Sequence, residues 1–155
     1  AQRHRDWTAC CDWIRTRTEP DALFLTPRAQ QTFLWYAERA EVVNWKNCPQ
    51  DARGVVQWLK RFEDVYADYE GTKIMYGPEV DSTLLFDERQ VVLARKYGAS
   101  YIVVDRFANP QPLKLPQVYP HSGSQLRPSA EAFDENAEDQ INISYAVYRI
   151  PPDVP

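Results

Sequence analysis

The sequence predicts an α/β fold: a three-layer, Rossmann-like sandwich with a small, mostly parallel sheet, helices on both faces and an antiparallel edge. Three observations carry this. Two short apolar runs, "DALFL" at 21–25 and "YIVV" at 101–104, sit between turn-forming residues, as strands covered on both sides do. Other stretches repeat apolar residues at spacings of three and four, the period of a helix. The two kinds of stretch alternate, which calls for parallel strands joined by helical crossovers. The closing stretch "INISYAVYRI" at 141–150 instead follows a long loop and supplies the antiparallel edge.

The elements follow in order. Residues 2–17 read as a helix, with Trp7, Cys10, Cys11 and Ile14 as its apolar stripe and Trp13 beside it. Thr18-Glu19-Pro20 ends it, because the residue before a proline avoids the helical region. After the strand at 21–25, Thr26 is expected to cap a helix that opens at Pro27, where the missing N–H costs nothing. That helix is expected through "RAQQTFLWYAERA", with Phe33, Tyr36, Ala37 and Ala40 on one face. "EVVNW" at 41–45 is the second strand. Behind Pro49 a third helix opens, striped by Val55, Val56, Leu59 and Phe62 and weakening after Val65.

"GTKIMYGP" at 71–78 reads as a linker with room for one short strand at 73–76. Asp81 or Ser82 is expected to open another helix, with Leu84, Leu85, Val91, Val92 and Ala94 as its apolar set. It closes at "RKYG", where cations meet the negative end of the helix and a glycine stops it. Residues 107–140 form a long loop with prolines at 110, 112, 116, 120 and 128, a late acidic cluster and one strand at 117–119. Residues 1–150 thus make one α/β domain and 151–155 a tail.

Bulk properties exclude several function classes. The chain has 155 residues, 44% of them apolar and 26% charged, which suits a folded domain with one core. Its formal net charge is −4, with Arg and Lys scattered among acids. A protein that tracks a phosphate backbone carries a basic face instead, so nucleic acid is not an expected partner. No apolar run reaches the roughly 18 residues of a membrane span. The chain begins at Ala1 rather than Met, which leads us to expect a segment cut from a longer polypeptide. Cys10, Cys11 and Cys48 are an odd set, two or three of which read best as small buried side chains, with a bridge from Cys10 or Cys11 to Cys48 left open for an oxidising compartment. Only His4 and His121 accompany them, and no metal site or cofactor is expected.

Motifs for chemistry are few. Neither GxGxxG nor GxxxxGK[ST] occurs, so no ordinary nucleotide loop is present. The turns at Thr26-Pro27-Arg28 and Cys48-Pro49-Gln50-Asp51 do lie where strands hand over to helices, and such turns aim free N–H groups at a ligand. Arg28 adds a charge there, with Gln30 and Gln31 beside it. Asp51 also reads as a residue favoured by a helix dipole with no ligand present. Asp105 and Arg106 leave the carboxyl end of a strand, the edge where open sheets place their sites. Asp105 and Cys48 are the candidates for chemistry, Cys48 because a helix N-terminus lowers a thiol pKa. The sequon Asn142-Ile143-Ser144 falls inside the predicted last strand and is read as structural.

Two segments resemble a known kind of domain. "WIRTRTEPDALFLTPRAQQTFLWYAERAEVVNWKNCPQDARGVVQWLKR" at 13–61 and "ARKYGASYIVVDR" at 94–106, with the closing "YAVYRI", resemble the soluble extracytoplasmic C-terminal domain of bacterial polytopic membrane proteins of the integral membrane glycosyltransferase kind. The nearest group is an uncharacterised planctomycete-type domain family. The resemblance implies a non-catalytic domain on the periplasmic face of the inner membrane, partnered by the membrane-embedded part of the same polypeptide. It further implies recognition of a glycan or lipid-phosphate group, for which Arg28, Gln30, Gln31, Asp51, Asp105 and Arg106 are the candidate binding residues. Two other readings stand beside it: a free-standing hydrolase or transferase using Asp105 or Cys48, and a protein-binding module presenting Trp35, Trp45 and Trp58.

Overall fold

A computed structural model of the chain describes residues 1–67, 73–121 and 142–152. Its elements are α1 (Gln2–Arg17), β1 (Leu23–Leu25), α2 (Phe33–Ala37), β2 (Ala40–Glu41), α3 (Ala52–Tyr66), α4 (Phe86–Tyr97), β3 (Tyr101–Asp105), β4 (Gln117–Tyr119) and β5 (Tyr145–Arg149). The strands form one sheet in the order β2-β1-β3-β5-β4. β1 runs parallel to both β2 and β3, while β5 lies antiparallel to β3 and β4. The architecture is the α/β sandwich that the alternation of elements predicts.

The sheet divides the core in two, because successive strand residues face opposite sides. Phe24, Tyr101, Val103, Tyr145 and Val147 pack with Trp7, Cys10, Cys11 and Ile14 of α1 and Phe33 and Ala37 of α2. Leu25, Ile102, Val104, Ala146 and Tyr148 face the other way, onto Phe62, Val65 and Tyr66 of α3 and Leu93 and Ala94 of α4. Fully burying one such side chain contributes roughly 1.5–3 kcal/mol. Cys10 and Cys11 are buried in the first cluster, Cys48 is exposed, and all three are free thiols.

Several boundaries differ from those the sequence predicts, each for a local reason. The helix expected at Pro27 begins only at Phe33. Residues 27–30 make a turn, closed by the Gln30 N–H on the Pro27 carbonyl at 3.1 Å. Thr26 therefore caps no helix; its hydroxyl goes to Glu41 at 2.9 Å. α2 stops at Glu38, which adopts the left-handed conformation with φ 53°, and β2 starts at Ala40 rather than Glu41. Beyond Glu41 the expected strand gives way to a turn, in which the Asn44 side chain accepts the Lys46 N–H at 2.8 Å.

α3 opens as expected, with Asp51 accepting the Gly54 N–H at 2.7 Å. Its burial is concentrated at the far end, Phe62 to Tyr66, and Val56 of the expected stripe is exposed. Residues 73–76 form no strand. They lie against α3, where the fully buried Glu63 carboxylate accepts the N–H groups of Met75 and Tyr76. α4 begins at Phe86, not Asp81, because Asp81 spends its carboxylate on the Thr83 N–H and hydroxyl at 2.9 and 2.7 Å. Leu84 and Leu85 thus precede the helix, and Arg89 and Gln90 take buried places instead of Val92. Gly98 ends it at φ 76°, as the sequence predicts. β5 is shorter than 141–150: the Asn142 side chain accepts the N–H groups of Ser144 and Tyr145 and so turns the chain into the strand. Asn142 is 2% exposed, which fits the structural reading of the sequon. Of the long loop, 122–141 lies outside the described residues, as does 153–155 of the tail.

Candidate functional site

The sheet order fixes where a site is favoured. From β1 the chain passes through α2, on one face, to β2. It then returns through α3 and α4, on the other face, to β3 on the far side of β1. Strand order therefore reverses between β1 and β3, and loops leaving their carboxyl ends diverge. Such a switch point opens a crevice by topology alone. Here it holds a cleft of about 330 Å³, lined among others by Thr26, Arg28, Tyr66, Arg89, Gln90 and Asp105.

Several of the lining groups are held by neighbours. The Arg28 guanidinium lies over the rings of Trp45 and Phe62, at 5.7 and 5.6 Å from their centroids. A guanidinium over aromatic faces is held there by cation–π attraction. Arg89 is buried and donates to the Asp64 carbonyl at the far end of α3. The Tyr66 hydroxyl donates to the Thr26 carbonyl at 3.0 Å. Burial pushes the Tyr66 pKa up and the nearby Glu41 charge adds to this, while an interaction with the Thr26 side chain and the Arg28 charge act in the opposite direction.

Glu41 sits just behind the cleft wall. It accepts the Thr26 hydroxyl on one carboxylate oxygen and the Asn44 amide, at 2.6 Å, on the other. Burial raises its pKa above the usual 4.5 in spite of both bonds. Asp105 is tied on both oxygens. One accepts Arg3 at 2.8 Å; the other accepts the Phe107 N–H at 3.0 Å. Arg3 also reaches the Tyr145 hydroxyl at 3.3 Å and lies 4.7 Å from the Phe107 ring centroid. Gln30 donates to the same tyrosine hydroxyl.

The structure therefore brings Arg28 and Asp105 to one cleft, and links Gln30 to Asp105 through Tyr145 and Arg3. It places the other candidates elsewhere. Arg106 points to the segment before β5, with its side chain on the Asn142 carbonyl and its N–H on that of Ser144. Gln31 is exposed and does not line this cleft. Asp51 is occupied as the cap of α3. The Cys48 thiol is exposed, outside this cleft, 3.6 Å from the Pro49 carbonyl. Arg89, Gln90 and Glu41 are members the sequence does not announce. Glu41 carries no signal, because the sequence makes it the first residue of a strand rather than the last. Arg89 and Gln90 carry none, because the sequence places that helix one turn too early.

Residues 5–65 are similar to DUF6798, a domain of unknown function. The match runs from the first turns of α1 to the last turn of α3, so it takes in Arg28 and Glu41 and leaves Arg89 and Asp105 outside. No curated protein matches the chain. Among the described residues, no helix is long and apolar enough to cross a membrane, and no group of three or more His, Cys, Asp or Glu side chains could hold a metal ion.

Proposed function

We propose that this chain is a ligand-recognition domain, and that the cleft between β1 and β3 takes the anionic head of a sugar phosphate or lipid phosphate. The observation that carries the reading is the pair Arg28 and Arg89 in the wall of a switch-point cleft. Arginine is the side chain suited to phosphate oxygens, which it meets through two N–H groups at once. Gln90 and Asp105 on the same walls suit the hydroxyl groups of a sugar or glycerol unit. The domain binds in this reading and performs no chemistry of its own. The likeness of 13–61 and 94–106 to soluble parts of membrane glycosyltransferases supports a setting on the periplasmic face of a bacterial inner membrane. There it would present its ligand to a membrane-embedded part of the same polypeptide.

The test is a titration followed by phosphorus NMR and calorimetry, with inorganic phosphate, glucose 1-phosphate and glycerol 3-phosphate. Arg28→Ala should weaken binding about ten- to a hundredfold, the range for a hydrogen bond to a charged group, while circular dichroism shows an intact fold. Unchanged affinity in the variant, or no binding of any of the three compounds, removes the reading. The setting is tested separately: the full-length polypeptide should stay with bacterial membranes in alkaline carbonate and leave them in detergent.

A further inference from the structure

A second cleft, of about 440 Å³, runs along the open edge of β2. One wall is the unbroken stretch 39–44; the other is α3, through Gly54, Gln57, Trp58 and Arg61. Those four helix residues share one face by their spacing. The side chains of the strand wall are committed elsewhere. Arg39 is buried and donates to the carbonyls of Arg15 and Thr18 at 2.9 and 3.0 Å, closing the end of α1. Glu41 holds Thr26 and Asn44, and Asn44 accepts the Lys46 N–H. What this wall offers the cleft is therefore main chain. Val42 donates its N–H to the Phe24 carbonyl at 2.9 Å, toward β1. Main-chain groups of a strand point to alternate sides, so the N–H and C=O of Glu41 point away from β1, to the edge where the described residues place no further strand.

A two-residue edge strand is an ordinary protection against unwanted pairing. The facing wall argues for more than protection. From Ala52 to Phe62, α3 carries Arg53, Lys60 and Arg61 and no acid, and all three cations are exposed. Its first acids, Glu63 and Asp64, are buried and hold the N–H groups of Met75, Tyr76 and Val80. Arg61 reaches across the cleft to the Val42 carbonyl at 3.3 Å. In a chain of net charge −4, one cation of that helix, Arg61, thus stands in the cleft opposite a strand edge that offers main chain, while Lys60 lies 5.7 Å from the Tyr76 ring centroid.

We propose that this cleft receives an acidic peptide in extended conformation, added as a strand beside β2 with its carboxylates toward Arg61. Strand addition gives affinity through main-chain hydrogen bonds and selectivity through alternate side chains. A carboxylate at Arg61 supplies that selectivity by charge.

The experiment uses dye-labelled Val-Glu-Val-Glu-Val, read by fluorescence anisotropy against the whole chain. Two probes accompany it: Val-Lys-Val-Lys-Val, and the acidic peptide N-methylated at alternate amides. The expected result is saturable binding of the acidic peptide alone and slowed amide exchange at Glu41. Arg61→Glu, an exposed position, should cost about tenfold or more in affinity by reversing the charge at the contact. The proposal is overturned if no saturable binding occurs, if the lysine peptide binds equally, or if affinity is indifferent to Arg61→Glu. N-methylation touches only the probe, so unchanged binding of that peptide also overturns strand addition, whatever the variant does to the fold.

Discussion

Thr26 donates its hydroxyl to the Glu41 carboxylate at 2.9 Å, across the seam between β1 and β2. Thr26 lines the switch-point cleft and Glu41 lines the cleft at the sheet edge, so one hydrogen bond separates the two candidate sites. The carboxylate is half-buried and, with its pKa raised, less at ease ionised than in water. A carboxyl whose folded pKa lies above its unfolded value binds protons more tightly in the folded state. Stability then falls as pH rises from the ordinary carboxylate pKa through the raised one. Glu41→Gln removes that dependence and keeps an acceptor for Thr26. Urea unfolding between pH 4 and 8 should show the variant gaining on the parent as pH rises, with the difference narrowing toward acid. A parent whose stability does not depend on Glu41 in this window contradicts the burial seen here.

Asp64 has the opposite sign. Burial raises its pKa, but Lys96, the Val80 N–H and the Tyr97 hydroxyl bring it below the usual carboxylate value. A lowered pKa adds stability above the unfolded value, and that stability is lost as pH falls through the folded one. The carboxylate holds Lys96 at 2.8 Å, Tyr97 at 2.7 Å and Val80 at 2.7 Å, and so fastens both the last turn of α4 and the chain ahead of it to α3. Asp64→Ala strips three donors of their acceptor. Each buried donor left unsatisfied costs about 1–3 kcal/mol, and Lys96 keeps Glu79 at 2.7 Å, which softens its share. A loss on the order of 3 kcal/mol is expected by denaturant titration at pH 7, shrinking below pH 4. Loss of less than about 1 kcal/mol would mean that the latch does not hold.

These two acids also show what a sequence can carry. The alternation that announces the sandwich was legible, because it rests on the periods of apolar residues. The stripe of Trp7, Cys10, Cys11 and Ile14 is buried as the spacing predicts. Polar burial was not legible. Glu63 and Asp64 look like a solvated helix face, yet both are buried because a distant segment brings N–H groups to them. The same cause misplaced the start of α2. Thr26, Gln30 and Thr32 look like residues of a helix opening, and instead serve Glu41, Tyr145 and the Trp7 indole. Of the candidate site, strand exits located Arg28 and Asp105, since their place depends on topology. Arg89 depends on the register of α4, which Asp81 and Thr83 shift by making a turn of their own.

Tyr145 anchors the other side of the Asp105 end of β3. Its ring is fully buried, 4.9 Å from that of Trp7, and its hydroxyl meets Arg3 and Gln30. Tyr145→Phe keeps the ring and removes the shared acceptor. The expected cost is about 1 kcal/mol, the usual net value of such a bond, with Trp fluorescence of the folded state little altered. Arg3 keeps Asp105 in this variant, so adding Arg3→Gln should cost less than the sum of the two single changes if the three groups act as one network. Strict additivity in the double-mutant cycle would dissolve the network into separate contacts.

The three thiols should react very differently. Burial pushes Cys10 well up from its ordinary value and Cys11 to about 12, with Cys11 and Asp6 adding to the shift of Cys10 and Asp12 and Glu41 to that of Cys11. Both side chains are also sealed in the core beneath α1, at 0% exposure. The thiolate is the reactive form, so inaccessibility and a raised pKa act together on these two. Cys48 is exposed in the turn ahead of α3. Iodoacetamide at pH 8 should therefore modify the folded chain at Cys48 and spare the other two, and modify all three in urea. Peptide mapping by mass spectrometry reads the result directly. Labelling of Cys10 or Cys11 at the rate of Cys48 would require α1 to leave the sheet under native conditions, and so would count against the packing of Trp7 and Ile14 on Phe24 and Tyr145 that defines this half of the core.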